Sequence, residues 1–446
     1  MKFIANTSDL NRYLGVDIAG NIPIKSISTD TRSIKKNSLF IAIKGENFDG
    51  NDFVEEAITK GALYAIADKK KYENQKNKKI IYVKNTVKAL KKISGNIINE
   101  YKGKVIAVTG SNGKTTTTNI ISKTLKNNSK TLKNFNNEIG MPLSIMNASS
   151  KSKNLVLEIG ASKFGDIDYL SKILKPHVGV ITNIGHSHLE KLGNINGVFE
   201  VKSELIKNIK KNGFLIVPSD NKEHLDRWKK LRNDINILTF GIKSGADFYA
   251  SKINLKENGL SFVVRSNLIK KPIQIKTSIE GKHNIKNILA SFAVHFCLKE
   301  DLENFVNILK VNKLNTLRQI KSKWINGSVL IDDTYNANPD STKKSIDLLS
   351  NYNKNTVLIL GDMLELGRYK KQLHKEVGVY AKKRGINIIL GYGDLTKYAV
   401  DGFGKKAIFF KDEENLKSYL RENITSKDVI LIKGSRGMKM EKFKNV

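Results

Sequence analysis

The sequence predicts an α/β protein of three domains with mostly parallel sheets. Short apolar runs of strand length alternate with helical stretches along the chain, which is typical of strand–helix–strand units. The 446 residues also exceed what one hydrophobic core usually holds, because domains average about 150 residues. We expect the domains at residues 1–100, 101–313 and 314–446.

The first domain is predicted from a short strand and a short helix. Residues 38–43 begin with a serine, continue as an apolar run and predict a buried strand. Residues 53–61 predict a helix that Gly61 would end, because glycine is favoured just after a helix. The lysine-rich residues 69–79 predict a solvated loop.

The second domain begins with a predicted strand at residues 105–108, a glycine turn and a helix from about Lys114. Further apolar runs of strand length follow at 155–158, 178–181 and 214–217. Together they indicate a mostly parallel sheet with helices on both faces. Polar strands and turns at 250–275 indicate a small antiparallel excursion. The next helix, 284–298, has an apolar face made of Ile285, Ile288, Leu289, Phe292 and Phe296.

The third domain is predicted to be a compact, nucleotide-binding-like α/β domain that begins near Leu314. Apolar runs alternate there with helical segments at a regular spacing. The predicted strands are 329–331, 357–360, 386–390 and 429–432.

The distribution of charge argues against a nucleic-acid partner. The formal net charge is +34, and a basic surface gains affinity for phosphates by releasing counterions. The lysines are spread through every segment, however, without interleaved arginine and aromatic residues, which favours solvated surface faces. The positive field would still attract anionic nucleotides.

The sequence predicts neither secretion nor membrane insertion. The apolar stretch at the N-terminus is far shorter than the core of a signal peptide, and no apolar run approaches the roughly 20 residues of a membrane span. The single cysteine, Cys297, excludes an internal disulfide. We therefore expect a cytoplasmic protein.

A phosphate-binding loop is predicted at residues 109–116, Thr-Gly-Ser-Asn-Gly-Lys-Thr-Thr, between a strand and a helix. In that context backbone N–H groups and the helix N-terminus can bind a phosphate. Lys114 would place its charge at the β- and γ-phosphates, and the hydroxyl of Thr115 would face Mg²⁺. The full P-loop pattern has glycine where this chain has Val108. The alternatives are an ordinary glycine-rich turn and a basic P-loop NTPase that acts on nucleic acid.

The segment 109–116 resembles the phosphate loop of the Mur ligases, and other segments resemble further motifs of that family in the family's order. These segments are 136–142, 157–162, 182–190, 281–290, 332–339, 361–367 and 433–436. Residues 28–32 and 40–50 resemble the family's UDP-sugar-binding domain. The resemblance therefore covers nearly the whole chain.

Two of these segments resemble one branch of the family. Asp-Thr-Tyr-Asn-Ala-Asn at 333–338 and Gly-Asp-Met-Leu-Glu-Leu-Gly at 361–367 are similar to the branch that adds D-alanyl-D-alanine to UDP-N-acetylmuramoyl tripeptide. The resemblance implies an N-terminal UDP-sugar-binding α/β domain, a central P-loop ATPase-like sheet and a C-terminal Rossmann-like α/β domain. It further implies a monomer that uses ATP and Mg²⁺ and binds those two substrates. The rivals within the family add a single diamino acid to the dipeptide nucleotide, or glutamate to folate.

The resemblance also implies metal ligands and catalytic groups. Thr115 and Glu158 are expected to bind Mg²⁺, and His188 a second metal ion. Lys202 is expected to react with CO₂ and form a carbamate, an anion that could lie beside the metals. The expected catalytic residues are Lys114, Lys202 and His188. In a chain so rich in lysine, a solvated helix face is the alternative for Lys202, and Lys207 is its nearest rival.

The remaining expected site residues would bind ATP and the two substrates. The ATP-binding set is Gly110, Ser111, Asn112, Gly113, Lys114, Thr115, Thr116, His283, Asn287, Arg318 and Asp333. Leu317 precedes Arg318 where the family usually has glycine. The substrate-binding set is Asp30, Thr31, Arg32, Lys44, Asn137, Tyr335, Asn336, Asn338, Asp362, Lys433 and Arg436. For the first four, the alternative is a turn with a surface arginine.

Overall fold

The strands of the protein form three separate sheets in the computed structural model, which describes residues 2–45, 48–74, 76–256, 259–311 and 320–446. We call each sheet with its helices the N-terminal, central or C-terminal unit. The predicted α/β class with mostly parallel sheets is confirmed. Leu314, Leu317 and Arg318 lie outside the described residues. No described helix combines the length and the apolar composition that a bilayer span requires.

The N-terminal unit is a four-stranded parallel sheet. Its strands, in spatial order, are β1 (Ser26–Ser28), β2 (Ser38–Ile41), β3 (Ala62–Ala67) and β4 (Ile80–Tyr82). Its helices are α1 (Thr7–Leu14), α2 (Val54–Thr59) and α3 (Thr86–Glu100). The predicted strand and helix correspond to β2, which is buried throughout, and to α2. The prediction of a solvated loop at 69–79 is partly wrong, because Tyr72 is buried and its hydroxyl donates to the carbonyl of Asn51.

The central unit is a nine-stranded sheet in the order β13-β12-β11-β10-β9-β8-β5-β7-β6. Its strands are β5 (Lys104–Thr109), β6 (Asn128–Lys130), β7 (Asn154–Glu158), β8 (Val178–Ile181), β9 (Phe214–Pro218), β10 (Asn236–Gly241), β11 (Phe248–Lys256), β12 (Gly259–Arg265) and β13 (Ile273–Thr277). Strands β5 to β11 pair in parallel. The β11–β12 and β12–β13 pairs are antiparallel, which confirms the excursion predicted at 250–275.

The helices of the central unit cover both faces of this sheet. They are α4 (Lys114–Thr124), α5 (Gly140–Asn147), α6 (Asp166–Leu174), α7 (Leu189–Leu192), α8 (Ile195–Lys207), α9 (Lys222–Leu231), α10 (His283–Cys297) and α11 (Leu302–Val311). In α10 the predicted apolar face is buried except for the half-buried Phe296, and the polar side chains of Asn284, Asn287 and Ser291 are buried as well. The reason is that α10 contacts α4 as well as strands β9 and β10.

The C-terminal unit is a six-stranded sheet in the order β14-β15-β19-β16-β17-β18. Its strands are β14 (Ile320–Lys323), β15 (Val329–Asp333), β16 (Asn355–Gly361), β17 (Ile388–Tyr392), β18 (Ala407–Phe410) and β19 (Asp428–Lys433). Its helices are α12 (Pro339–Leu349), α13 (Lys370–Lys383), α14 (Thr396–Phe403) and α15 (Glu413–Asn423). The four predicted strands are β15, β16, β17 and β19. The edge strands β14 and β18 were not predicted: β14 is polar after its first residue, and β18, although apolar, is only four residues long and mostly exposed.

The central and C-terminal sheets direct the carboxyl ends of neighbouring strands toward one cleft. Strands β8, β5 and β7 are adjacent in the central sheet, and β15, β19 and β16 are adjacent in the C-terminal sheet. Parallel strands place their carboxyl ends at one edge, and open α/β sheets bind ligands there. The loops that follow these six strands line a cleft of about 1080 Å³.

Candidate active site

The cleft collects side chains from all three units. A volume of about 1080 Å³ is enough for a nucleotide or a peptide substrate. From the central unit it is lined by the predicted site residues Ser111, Asn112, Lys114, Asn137, Glu158 and His188. From the C-terminal unit it is lined by the predicted residues Tyr335, Asn336, Asn338 and Arg436. The N-terminal unit contributes Asn85, Val87 and Lys88, at the start of α3.

The phosphate loop, residues 109–116, needs glycine at two positions. Gly113 has a φ of +82° at the N-cap of α4, and a Cβ atom there would collide with the side chain of Asn287. Gly110 has a φ of +140°, and a Cβ atom there would collide with the side chain of Thr182. Both the backbone conformation and the available space therefore require glycine.

The phosphate loop is held by the loop that follows β8. The backbone N–H of Asn112 donates to Oδ1 of Asn183 at 3.0 Å, and Oγ of Ser111 donates to the carbonyl of Gly185 at 3.0 Å. The ammonium of Lys114 donates to the carbonyl of Gly110 at 2.8 Å. Lys114 therefore lies against the phosphate loop, where the sequence predicts a bound phosphate.

Glu158 is a buried carboxylate at the end of β7, only 3 % exposed. Its Oε2 accepts a hydrogen bond from Oγ1 of Thr115 at 2.9 Å, and its Oε1 accepts one from Nδ2 of Asn136 at 2.7 Å. Within the described residues it has no ion pair with a lysine, an arginine or a histidine. A buried carboxylate without a positive partner is costly, so this position favours a bound cation.

Lys202 lies on α8 and is 1 % exposed. Among the residues that the structure describes, its ammonium has no hydrogen bond and no ion pair. Burial, and after it the charge of Lys114, lower the pKa of Lys202 to about 7. Lys207, five positions further along, is exposed, so the solvated helix face belongs to Lys207 and not to Lys202.

His188 of the central unit meets Glu365 of the C-terminal unit. Nδ1 of His188 lies 2.7 Å from Oε2 of Glu365, although the two atoms are not aligned as a hydrogen bond. The backbone N–H of the nearby Glu190 donates to the carbonyl of Glu365 at 3.0 Å. His188 and Glu365 have φ values of +53° and +62°, a left-handed conformation that costs about 1–2 kcal/mol for a residue with a Cβ atom. Such strain is often retained at functional positions.

A second cavity, of about 50 Å³, lies beside the phosphate loop, between the central and C-terminal units. From the central unit it is lined by Asn112, Gly113, Thr116, His283, Asn284 and Asn287. From the C-terminal unit it is lined by Asp333, Ser341, Lys344, Ser345 and Lys433. The structure thus brings together the predicted nucleotide-binding residues Thr116, His283, Asn287 and Asp333. It also places Lys433, which the sequence assigned to a substrate, beside them.

Asp333 and Lys433 form a buried ion pair. Nζ of Lys433 lies 2.6 Å from Oδ2 of Asp333, and the two residues are 1 % and 3 % exposed, respectively. The hydroxyl of Ser345 donates to the same carboxylate oxygen at 2.6 Å, and Nζ of Lys433 also donates to the carbonyl of Asn336 at 2.9 Å. This network ties together β15, β19 and α12, and it fixes the loop that carries Tyr335 and Asn336.

The N-terminus of α12 docks on the phosphate loop through contacts that we call the seam contacts. Nδ2 of Asn338 donates to Oδ1 of Asn112 at 2.9 Å. The carboxylate of Asp340 accepts the backbone N–H of His186 at 2.6 Å and lies 3.2 Å from its ring Nδ1. The hydrogen bond to Asp340 raises the pKa of His186. The seam contacts therefore couple the C-terminal unit to the loops after β5 and β8.

The four residues expected at a UDP-sugar site do not line the cleft. Asp30 caps a single turn at Thr31–Ser33, and Nη2 of Arg32 lies 2.7 Å from its carboxylate. The side chain of Arg32 is 87 % exposed, and Lys44 pairs with Asp49 in an isolated β-bridge. The local geometry is that of a turn with a surface arginine.

Asp362 lies outside both cavities, although the sequence placed it at the dipeptide site. Its Oδ1 accepts the backbone N–H groups of Leu395 and Thr396, both at 2.9 Å, so the carboxylate caps the start of α14. Burial raises the pKa of this carboxyl group. The structure therefore gives Asp362 a helix-capping position.

Sequence reasoning missed several polar residues at the site. Asn136 orients Glu158, Glu365 faces His188, and His186 pairs with Asp340 across the seam. His186, Asp340 and Glu365 all follow the carboxyl ends of buried strands, so that placement could have identified them. Lys344 could not have been identified in this way, because the sequence does not distinguish it from the many other lysines on helices.

The residues present fit a magnesium ion at Glu158. Within the described residues, no group of three or more histidine, cysteine, aspartate or glutamate side chains is arranged to hold a metal ion. The donor set expected from the sequence contains only two such side chains, Glu158 and His188, together with Thr115 and a modified Lys202. Thr115 and Glu158 offer neighbouring oxygen atoms, the ligands that Mg²⁺ prefers.

These features define an α/β enzyme with a phosphate-binding loop and an interdomain cleft, and comparison with known proteins identifies its family. The Mur ligase middle domain matches residues 108–295, and the Mur ligase, glutamate ligase domain matches residues 318–436. The Mur ligase family, catalytic domain matches residues 23–99. The chain belongs to the Mur ligase family.

Relatives and solved structures resemble the chain over nearly its whole length. A UDP-N-acetylmuramoyl-tripeptide–D-alanyl-D-alanine ligase of Buchnera aphidicola is 37 % identical over 94 % of this chain and 92 % of its own length. The ligase of the same name from Bacillus subtilis is 36 % identical over 94 % and 92 %. MurF from Acinetobacter baumannii superposes with a TM-score of 0.86 at 29 % identity, covering 96 % of this chain and 94 % of its own. MurF ligase of Thermotoga maritima, solved in complex with ADP, gives 0.81 at 30 % identity, with 94 % and 96 % covered.

Proposed function

We propose that this chain uses ATP to join D-alanyl-D-alanine to UDP-N-acetylmuramoyl tripeptide. The observation that carries the proposal is the relationship to two ligases named for this reaction, at 36–37 % identity over more than nine-tenths of each chain. The cleft supports it, because one cavity contains the phosphate loop, a buried carboxylate and polar side chains of the C-terminal unit. An ATP-dependent reaction is suited to the cytoplasm, where ATP is made.

The first step of this reaction joins two anions. An oxygen of the tripeptide carboxylate attacks the γ-phosphorus of ATP, the bond to the β–γ bridging oxygen breaks, and ADP leaves with that electron pair. Charge repulsion opposes the attack, so positive groups must face the phosphates. Lys114, held over the phosphate loop, supplies one such charge, and the N-terminus of α4 adds to it.

The second step forms the amide bond. The amine of D-alanyl-D-alanine attacks the acyl carbon, phosphate leaves, and the nitrogen loses a proton. Tyr335, Asn336, Asn338 and Arg436 line the cleft on the C-terminal side, where they would position the dipeptide. An arginine suits the carboxylate of the dipeptide because it can donate two parallel hydrogen bonds. Contact between the central and C-terminal units would keep water from the acyl phosphate.

Thr115 and Glu158 would hold Mg²⁺, whose charge would offset that of the phosphate oxygens. His188 would hold a second metal ion together with a carbamate on Lys202. The carbamate forms when the neutral amine of Lys202 attacks the carbon of CO₂ and a proton leaves the nitrogen. The burial of Lys202 and its pKa of about 7 support this step, because they favour the neutral amine.

We further propose the domain boundaries near residues 100 and 314, and a monomeric enzyme. The three separate sheets support the boundaries. Asp30, Thr31, Arg32 and Lys44 remain our candidates for the UDP-sugar site, on the exposed surface of the N-terminal unit. Asn137 lines the cleft and is proposed to contact the tripeptide.

The proposal is tested by phosphate release from ATP with UDP-N-acetylmuramoyl tripeptide and a panel of amines. We expect release that requires D-alanyl-D-alanine and no release with a diamino acid. Release with a diamino acid and the dipeptide nucleotide would instead assign the chain to another branch of the family. Release that requires only DNA or RNA would contradict the ligase assignment.

A further inference from the structure

Lys344 is a cation at the second cavity that has no hydrogen-bond or ion-pair partner among the described residues. It lies on α12 and lines that cavity together with Gly113 and Thr116 of the phosphate loop. It is half-buried, and within the described residues its ammonium makes no hydrogen bond and no ion pair. A desolvated ammonium without a counter-charge is unfavourable, so the position is suited to an anion.

The carboxylates nearest to Lys344 are already engaged. Asp340 accepts two hydrogen bonds from His186, and Asp220 pairs with Lys286. Burial lowers the pKa of Lys344, the carboxylate of Asp340 raises it, the charge of Lys286 lowers it, and the carboxylate of Asp220 raises it. Within the described residues, both carboxylates therefore pair with other groups, and neither forms an ion pair with Lys344.

We propose that Lys344 binds the phosphate groups of the adenine nucleotide from the C-terminal unit, opposite the phosphate loop. This inference rests on the proposed function, because it requires a nucleotide at the second cavity. Gly113 and Thr116 place part of the phosphate loop at this cavity, and phosphate oxygens are strong acceptors for an ammonium. The phosphate loop belongs entirely to the central unit. Lys344 would therefore add a contact to the phosphates from the C-terminal unit.

The size of the second cavity shows what such a contact would do. Its volume is about 50 Å³, whereas ligand pockets occupy roughly 300 Å³ or more. The two units must therefore separate at the seam contacts before a nucleotide fits. A lysine on the C-terminal side would then hold that unit to the bound nucleotide.

Lys343 provides a matched control on the same helix. Its Nζ lies 3.3 Å from Oε2 of Glu376, and it lines neither cavity. Replacing Lys343 or Lys344 by methionine removes the same charge from neighbouring positions of α12. Any general effect of net charge on nucleotide affinity should be shared by the two variants.

The test is the affinity of the full chain for MgADP and for adenosine, measured by calorimetric titration. We expect Lys344→Met to weaken MgADP binding by about tenfold or more, as the loss of a hydrogen bond to a charged group usually does. Adenosine binding should stay unchanged, because adenosine has no phosphate. Lys343→Met should bind both ligands as the wild type does, and Lys344→Arg should recover part of the loss.

Two results would overturn the inference. The first is an equal affinity of Lys344→Met and Lys343→Met for MgADP, in an experiment in which the wild type binds MgADP and has ligase activity. The other is an equal loss for adenosine and MgADP, which would indicate a change in the shape of the cavity. A wild type that binds no MgADP would contradict the proposed function as well. Thermal unfolding checks the fold, and Lys344→Gln gives the same comparison if the methionine variant unfolds.

Discussion

Lys202 and Lys433 are both buried lysines, each 1 % exposed, but their surroundings are opposite. Lys433 lies 2.6 Å from the carboxylate of Asp333 and donates to the carbonyl of Asn336. Lys202 has no such partner within the described residues, and its pKa is lowered to about 7. A buried lysine with a carboxylate partner stays charged and holds structure, whereas one without a partner is driven toward the reactive neutral amine.

The same contrast separates the role of the C-terminal unit from that of the central unit. The C-terminal unit uses its paired lysine to fix the loop after β15 in place. Within the described residues, Glu158 and Lys202 of the central unit form no ion pair, which is what the proposed binding of a metal ion and of CO₂ requires. The predictions below test this difference.

Replacing Lys202 should have the largest effect. We expect Lys202→Ala to lose at least about a hundredfold in ligase activity, the usual cost of removing an electrostatic group from an active site. Added short-chain carboxylates should restore part of it by standing in for the carbamate. Lys207→Ala, at an exposed position of the same helix, is the control and should be fully active. Activity near that of the wild type in Lys202→Ala would contradict the role of this lysine.

Breaking the Asp333–Lys433 pair should lower both the stability and the activity of the enzyme. Asp333→Asn leaves a buried lysine without its carboxylate, and we expect unfolding in urea to show a loss of about 3 kcal/mol. The double variant Asp333→Leu/Lys433→Met removes both charges and should recover most of that stability without recovering activity. A single variant as stable as the wild type would show that the pair does not hold this unit together.

Weakening the seam contacts should have a smaller effect, on activity alone. Asn338→Ser keeps an N-cap for α12 but is too short to reach Asn112, so stability should be nearly unchanged. We expect kcat/KM for ATP to fall about fivefold, the cost of one neutral hydrogen bond. Asn221→Ser, at the N-cap of α9, controls for the capping change. Equal activity of Asn338→Ser and Asn221→Ser would contradict the coupling of the C-terminal unit to the phosphate loop through the seam contacts.

The exposed pair in the N-terminal unit should show the smallest effect. Arg32→Ala should leave the unfolding temperature unchanged, because the pair lies on the surface within one turn. If Arg32 contacts the UDP group, KM for the tripeptide nucleotide should rise a few-fold while KM for ATP stays constant. Arg12→Ala removes another exposed arginine, paired with Glu100, and serves as the control. An unchanged KM for the nucleotide would remove Arg32 from the substrate site.

Most of the fold could be predicted from the sequence, because parallel strands buried on both faces appear as continuous apolar runs. Strands β5, β7 and β8 are of this kind, whereas the exposed edge strand β14 is polar after its first residue. The phosphate loop could be predicted because its glycines are required locally. In each of these cases, neighbouring residues in the sequence are enough to determine the local structure.

Contacts between units could not be predicted, because they depend on how the sheets are placed relative to one another. Asn112 and Asn338 are far apart in the sequence but lie in contact. Glu365 faces His188, and Lys344 faces the phosphate loop, for the same reason. The helix-capping position of Asp362 could not be predicted either: its motif suggests a substrate contact, which stays a prediction, and its Oδ1 accepts two backbone N–H groups of its own unit.

The most direct test of the account follows the carboxylate oxygen of the substrate. UDP-N-acetylmuramoyl tripeptide with isotopically labelled oxygen in its terminal carboxylate would be incubated with ATP, Mg²⁺ and D-alanyl-D-alanine, and the released phosphate analysed by mass spectrometry. If the carboxylate attacks the γ-phosphorus of ATP in the cleft, one labelled oxygen appears in the phosphate for each amide bond formed. Phosphate without label would show that water attacks ATP instead, and it would contradict the assignment of this cleft as a ligase site.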